Sequence, residues 1–225
     1  ERLASNARRA VTFFLEERLD ALRFTINEIG YDLLTDSDHL EEILRNMKLG
    51  FGGLTDLSVI DHTGKQLAYA GPYSLKGRDY SNQRWFIECQ QQNLYVSEIF
   101  RGYRDVPHII IAAKSFRQDG SFFIIRATLD TERLKKTLQS YETGAHAQIF
   151  LINRSGVIQT SSKQHGDVFQ KMSLPVPVFS ARTEVIAARD QRKETLLVGY
   201  AYLTTRNVDT PFILMVVKRK AGMMH

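Results

Sequence analysis

Cysteine occurs once in this 225-residue chain, at Cys89, so no disulfide can form within it. A single thiol is compatible with either a reducing or an oxidising compartment and fixes neither. No apolar run reaches the roughly 18 residues that a membrane-crossing helix needs. The first residues also lack the pattern of a cleavable signal peptide. Charge of one sign is never gathered: 30 Lys and Arg against 25 Asp and Glu leave +5, scattered along the chain. Nucleic acid is therefore excluded as an expected partner, since it requires a basic stripe. Catalytic constellations are missing as well. His39, His62, His108, His146 and His165 are dispersed, without Cys or acidic neighbours at ligand spacing, so no metal is expected. The nucleophile elbow of hydrolases is absent, and Gly50, Gly52 and Gly53 precede a strand pattern where a phosphate-cradling loop would precede a helix. Cys89 has Glu88 beside it and no activating cation in sequence, which reads as an inert thiol. Neither a cofactor nor an enzymatic activity is expected of these residues.

What is present is a globular composition, 43% hydrophobic, sufficient for one large domain or two small ones. From Val11 the apolar positions Leu15, Leu19, Leu22, Ile26, Ile29 and Leu33 advance in steps of four or three, with charged residues between them. That spacing predicts one long amphipathic helix over residues 2–34, about 50 Å at 1.5 Å per residue. Phe13, Phe14 and Phe24 lie partly off the stripe and leave apolar surface for another helix or a second copy of the chain. A second helix is expected over Asp38 to Lys48.

Beyond the glycines the period changes from helix to strand. Leu57 to Ile60 leads through Asp61-His62-Thr63-Gly64 into Gln66 to Tyr69, a hairpin. Asn82 is placed to cap a short helix carrying Trp85, Phe86 and Ile87. Strands are expected over Tyr95 to Phe100, His108 to Ser115 and Ser121 to Thr128, then a helix over Asp130 to Tyr141. The hairpin then recurs: Val59-Ile60-Asp61-His62-Thr63-Gly64 is echoed by Leu151-Ile152-Asn153-Arg154-Ser155-Gly156. Each copy is an apolar strand and an Asx-type turn closed by glycine, with strong strands later, here Leu196 to Leu203 and Phe212 to Lys218. The expected fold class is α+β, organised as a helical spine (1–50), a first unit (51–142) and a second unit (143–220).

A long helix, two tandem hairpin-bearing units, and ends that read as cut at membrane segments together resemble the double Cache sensors of bacterial histidine kinases and chemoreceptors. The most specific portion is 54–115, with Ala70-Gly71-Pro72-Tyr73, Gly77 to Phe86, Tyr95-Val96-Ser97 and Gly102-Tyr103-Arg104-Asp105-Val106-Pro107-His108. The resemblance implies two PAS-like units, a membrane-distal one that holds the ligand and a membrane-proximal one that transmits. Members that bind amino acids are similar to one another in having Tyr, then an arginine two places before Trp-Tyr or Trp-Phe, then a later acid. Here Tyr80, Trp85 and Phe86 match, but Gln83 holds the arginine place, Arg84 sits one position later, and the later acid is missing from Phe100 to Gly102. That departure speaks against a free amino acid.

The candidate binding residues follow from chemistry and from this pattern. Trp85 is either a ring for a ligand to stack on or a core residue. Arg84 offers a two-pronged contact to a carboxylate, or else a solvated helix face. Tyr103, Arg104 and His108 lie in a glycine-containing loop opening onto a strand, where binding groups collect. Tyr80, Asp79, Tyr95 and Ser97 form a second tier. The expected function is extracytoplasmic, periplasmic sensing of a small, anionic molecule by a transmembrane receptor, foremost a two-component histidine kinase. Alternatives are a chemoreceptor, a cyclic-dinucleotide enzyme, or a module docking a periplasmic protein. Membrane tethering would come from segments outside the fragment. A parallel homodimer is expected in the receptor, weak or monomeric in the fragment.

Overall fold

The computed structural model describes residues 1–73, 75–142 and 146–220. It is α+β, with an N-terminal helix followed by two antiparallel sheets. The chain divides into two compact units. The first holds Leu15–Thr131 with Arg206–Val208; the second holds Glu1–Phe14, Glu132–Thr205 and the residues from Asp209 onward. Residues 1–14 fall in the second unit and 15–50 in the first. Among the described residues no helix is long and apolar enough to cross a membrane.

Helix α1 spans Arg2–Glu28 and buries Ala4, Ala7, Val11, Leu15, Leu19, Leu22 and Ile26, the expected stripe extended toward the N-terminus. It stops short of residue 34 because Gly30 adopts φ +91, a conformation that glycine alone enters cheaply. The following turn, α2 (Tyr31–Leu34), buries Leu34 and leaves Leu33 exposed, reversing the expected pair. Phe14 is also buried, so Phe13 and Phe24 alone of the three off-stripe phenylalanines are exposed. Helix α3 (Ser37–Gly50) starts on Asp36, whose carboxylate accepts the Asp38 N–H at 3.0 Å. Its C-terminal end is met by Arg18, buried on α1, which donates to the carbonyls of Phe51 and Gly52, each at 3.1 Å. A charged side chain thus satisfies carbonyls that the helix leaves without partners.

The first sheet has the order β2-β1-β5-β4-β3, built from β1 (Leu54–Asp61), β2 (Gln66–Ala70), β3 (Leu94–Val96), β4 (Ile109–Phe116) and β5 (Phe122–Leu129). Strand β3 is shorter than expected; residues 97–100 stay extended through single backbone pairings, Ser97 to Ile110 and Phe100 to His108. Helix α4 (Arg84–Cys89) is capped at Gln83, without the side-chain bond foreseen from Asn82. Helix α5 (Thr131–Gln139) follows β5 directly. The second sheet runs β6-β9-β8-β7, from β6 (Ala147–Asn153), β7 (Glu184–Arg189), β8 (Thr195–Thr204) and β9 (Asp209–Arg219). Strand β7 was not foreseen, because none of its residues is buried and they carry no inward and outward alternation.

The repeated turn is a real structural repeat. Asp61 Oδ1 accepts the N–H groups of Thr63 and Lys65, and Gly64 closes the turn at φ +92. Asn153 Oδ1 accepts those of Ser155 and Val157, and Gly156 closes it at φ +84. In the second unit the return segment is reduced to a single bridge between Ile152 and Ile158.

Candidate functional site

Strand alternation places a mixed surface on one face of the first sheet. Asp56 pairs in register with Thr128, Ser58 with Arg126 and Ile60 with Ile124, so all six share a face. Tyr69 lies opposite Ser58, and Ala112 opposite Arg126. Helix α4 covers the apolar part, packing Trp85, Phe86 and Cys89 on Ile60, Ile110, Ala112 and Ile124. The polar part is roofed by the loops over residues 75–83 and 100–108.

At the centre is a buried ion cluster. Asp56 has no exposed surface; its Oδ1 lies 3.4 Å from Arg126 Nη1, and its Oδ2 accepts the Tyr69 hydroxyl at 3.0 Å. Tyr69 in turn accepts the Tyr73 N–H at 3.2 Å. Arg126 also donates to Thr128 Oγ1 at 2.9 Å and to Ser58. Burial pushes the Asp56 carboxyl up, but Arg126, the Thr128 hydrogen bond, Arg104 and Tyr69 outweigh it and hold it below its ordinary value. Asp56 is thus a carboxylate whose partners are already in place.

Arg104 enters this cluster from the 3-10 turn Gly102–Arg104, which ends on Asp105 in the left-handed conformation, φ +51. Its side chain is 6% exposed, with Nη1 3.9 Å from Asp56 Oδ2 and the guanidinium carbon 4.1 Å from the centre of the Tyr73 ring. Among the described residues, Arg104 Nε and Nη1 and Arg126 Nε have no hydrogen-bond partner. Each such donor costs about 1–3 kcal/mol in lost hydration. Two guanidiniums face one carboxylate, so one positive charge is uncompensated.

His108 adds no charge. Its Nδ1 donates to the Val106 carbonyl at 2.8 Å, and its ring lies 4.2 Å from that of Phe100. Burial, reinforced by Arg104 and Arg126, lowers its pKa to about 4, so the ring is neutral near pH 7 with its other nitrogen an acceptor. The roof is clasped across the loops: the Tyr103 hydroxyl donates to the Asp79 carbonyl at 2.6 Å, and the Arg78 guanidinium lies 5.1 Å from the Tyr103 ring. Tyr80 sits between Trp85 and Tyr103, at 5.3 and 5.5 Å between ring centres. The side chains close on one another until about 10 Å³ is free, the room of one water.

No family model and no curated protein matches the chain. Solved structures do. An extracellular ligand-binding receptor from Desulfohalobium retbaense superposes with a TM-score of 0.75 at 12% identity, over 96% of this chain, which spans 39% of that one. The extracellular domain of a protein assigned as a histidine kinase, rpHK1S-Z16, gives 0.68 at 15% identity over 97% of this chain and 90% of the other. The ligand-binding domain of the Pseudomonas aeruginosa amino acid chemoreceptor PctB, in complex with L-Arg, gives 0.69 at 13% over 97% and 86%. The fold is that of these extracellular ligand-binding domains.

The first unit brings Tyr80, Trp85, Tyr103, Arg104 and His108 together around the small cavity, with Gln83, Leu75 and Arg126. It leaves four other sequence-chosen residues outside. Arg84 is 81% exposed and pairs with Glu88 at 2.7 Å and Glu98 at 3.7 Å. Tyr95 donates to Glu88, and burial followed by that carboxylate raises its pKa. Ser97 Oγ accepts the Ile110 N–H at 2.9 Å and so holds the sheet edge. The Asp79 carboxylate accepts the Ser81 N–H at 2.7 Å on the surface; its carbonyl, not its carboxylate, meets Tyr103. Cys89 is buried, and burial pushes its thiol up to about 12. Sequence reasoning missed Asp56, Arg126, Tyr69 and Tyr73. The available signal was the pair of polar residues two apart in each of two apolar strands, Asp56 with Ser58 and Arg126 with Thr128.

The second unit carries the wider concavity, about 730 Å³. That groove is lined by Lys135, Gln139, Gln148, Ser162, Lys163 and Gln170 among others, and its charged side chains are part or fully exposed. It holds no buried charge of the kind seen in the first unit.

Proposed function

We propose that the chain is the extracytoplasmic ligand-sensing part of a transmembrane signalling receptor, a two-component histidine kinase, and that a small anionic molecule binds in the first unit. The observation that carries this reading is the Arg104 guanidinium, nine-tenths buried with two donors unpartnered among the described residues. A buried guanidinium with unsatisfied donors is costly, and a ligand anion supplies the acceptors that the fold withholds. The shared fold with extracellular domains of receptors supports the extracytoplasmic role, and the amino acid complexes of PctB support a small-molecule ligand. Membrane tethering would come from segments outside these residues, and pairing in the receptor would be parallel. A chemoreceptor output serves the same sensing unit equally well. A second reading, a module that docks a periplasmic protein, is favoured by the closed cavity of about 10 Å³. It gives no reason for an orphaned guanidinium beneath Tyr73.

The test is a thermal-shift screen of small metabolites, followed by calorimetric titration of the wild type, Arg104→Ala and Arg84→Ala. Loss of Arg104 is expected to weaken binding by about 2–3 kcal/mol, the scale of a charge-assisted contact, while loss of the exposed Arg84 changes little. Equal affinity in the wild type and Arg104→Ala, or a cationic ligand, overturns the proposal.

A further inference from the structure

Resting on the reading of this site as an anion receptor, we infer that its ligand is a monocarboxylate without an ammonium group, and that the Asp56–Arg126–Tyr69 cluster is the element that rejects amino acids. An α-amino acid carries its carboxylate and its ammonium on the same carbon, so a site for it must offer a cation and an anion side by side. The cation is here, but the anion is spent. Asp56 Oδ1 is held by Arg126 at 3.4 Å and Oδ2 by the Tyr69 hydroxyl at 3.0 Å, and the carboxylate lies behind Arg104 with no exposed surface. To reach it an ammonium would have to displace a guanidinium.

The other acidic groups of these loops do not replace it. The Asp79 carboxylate is turned outward onto Ser81 N–H at 2.7 Å, and Asp105 is exposed. Glu88 is held by Arg84 and Tyr95, and Glu98 lies 3.7 Å from Arg84 on the outside. An ammonium in the cavity would therefore face the two guanidiniums with no carboxylate free to take it, and like charges in a poorly hydrated site repel strongly. The neutral groups present suit a different neighbour for the carboxylate. His108, neutral and with one ring nitrogen an acceptor, and the rings of Trp85, Tyr80 and Tyr73 offer stacking surface and a place for a hydroxyl. The count of charge sets the valence: one uncompensated guanidinium matches one negative charge, and a second carboxylate would stand against Asp56.

The experiment is calorimetric titration of the wild-type protein with acetate, propionate, lactate and benzoate, each alongside glycine, alanine or malonate, and repetition with Arg104→Ala and Arg126→Gln. The expected result is that at least one amine-free monocarboxylate binds tenfold or more tighter than its amino or dicarboxylate counterpart and is lost in Arg104→Ala. Arg126→Gln releases Asp56 and should narrow the preference against alanine; should that variant not fold, the wild-type comparison decides alone. Alanine or glycine binding as tightly as propionate or acetate, with the loss in Arg104→Ala retained, overturns the ligand class and leaves the anion site standing. Tighter malonate binding overturns the single charge. Binding that Arg104→Ala leaves unchanged overturns the anion site itself, and no binding by any monocarboxylate at millimolar concentration overturns the inference.

Discussion

Replacing Arg104 by methionine should make the ligand-free protein more stable while removing its affinity for anions. In the wild type two Arg104 donors are buried without partners, at about 1–3 kcal/mol each. Against this stand the stacking on Tyr73 at 4.1 Å, about 0.5–2 kcal/mol for a cation over a ring, and a long ion contact to Asp56 at 3.9 Å. Methionine keeps the apolar stem against Tyr73 and deletes the unpaired donors. Asp56 retains Arg126 and Tyr69 and stays ionised. The balance is a gain of about 1–2 kcal/mol, or roughly 3–6 °C in Tm for a chain of this size. Scanning calorimetry of both proteins without added anion measures it. A Met variant less stable than the wild type by 1 kcal/mol or more would show that Arg104 is a structural partner of Asp56, and the reasoning from orphaned donors would be refuted.

Gly64→Ala should cost about 2–4 kcal/mol, since φ +92 is strained for alanine and the new Cβ would stand 2.5 Å from the Ser81 nitrogen, disturbing the Tyr80 N–H bond to the Gly64 carbonyl; an unchanged urea midpoint contradicts this. Acid should destabilise the first unit from below about pH 6.5 toward pH 4. His108 binds its proton in the unfolded chain near 6.5 but only at about 4 when folded, so stability is complete above 6.5 and falls by up to about 3 kcal/mol as pH drops through that window. The Asp56 carboxylate, whose folded value is lowered, adds to the loss at the acid end, and His108→Gln should flatten the slope in denaturant titrations from pH 7 to 4.5. Arg18→Met strips the Phe51 and Gly52 carbonyls of their donor and should lower stability by about 2–4 kcal/mol; an unaltered midpoint there would mean that water replaces the guanidinium.

Much of the fold was legible because periodicity reports burial. The stripe from Leu15 to Ile26 announced α1, and the Asx turns at Asp61 and Asn153 announced the repeat, since those side chains act on backbone only two to four residues away. What failed was decided at longer range. Gly30 ended α1 through its backbone, against an apolar pattern that ran on. Strand β7 forms by pairing with β8, and its sequence carries no inner and outer face of its own. The site divides the same way. Arg104 and His108 were visible in a loop rich in polar groups, whereas Asp56 and Arg126 sit within apolar strands and acquire meaning only when the register of β1 and β5 brings Ser58 opposite Arg126. Arg84 looked equivalent to Arg104 along the chain; Glu88, one helical turn away, claims it at the surface.

The clasp between Tyr103 and Asp79 has a consequence for time. With about 10 Å³ free beneath it, nothing larger than a water enters until the two loops part. If the proposed ligand occupies this cavity, the speed of response is governed by how often the molecule opens, and at high concentration the rate of occupation levels off at that opening frequency instead of rising with each further increment of ligand. On that reading, pulses shorter than the opening interval would pass unread, and the protein would average its surroundings over a window that it sets itself.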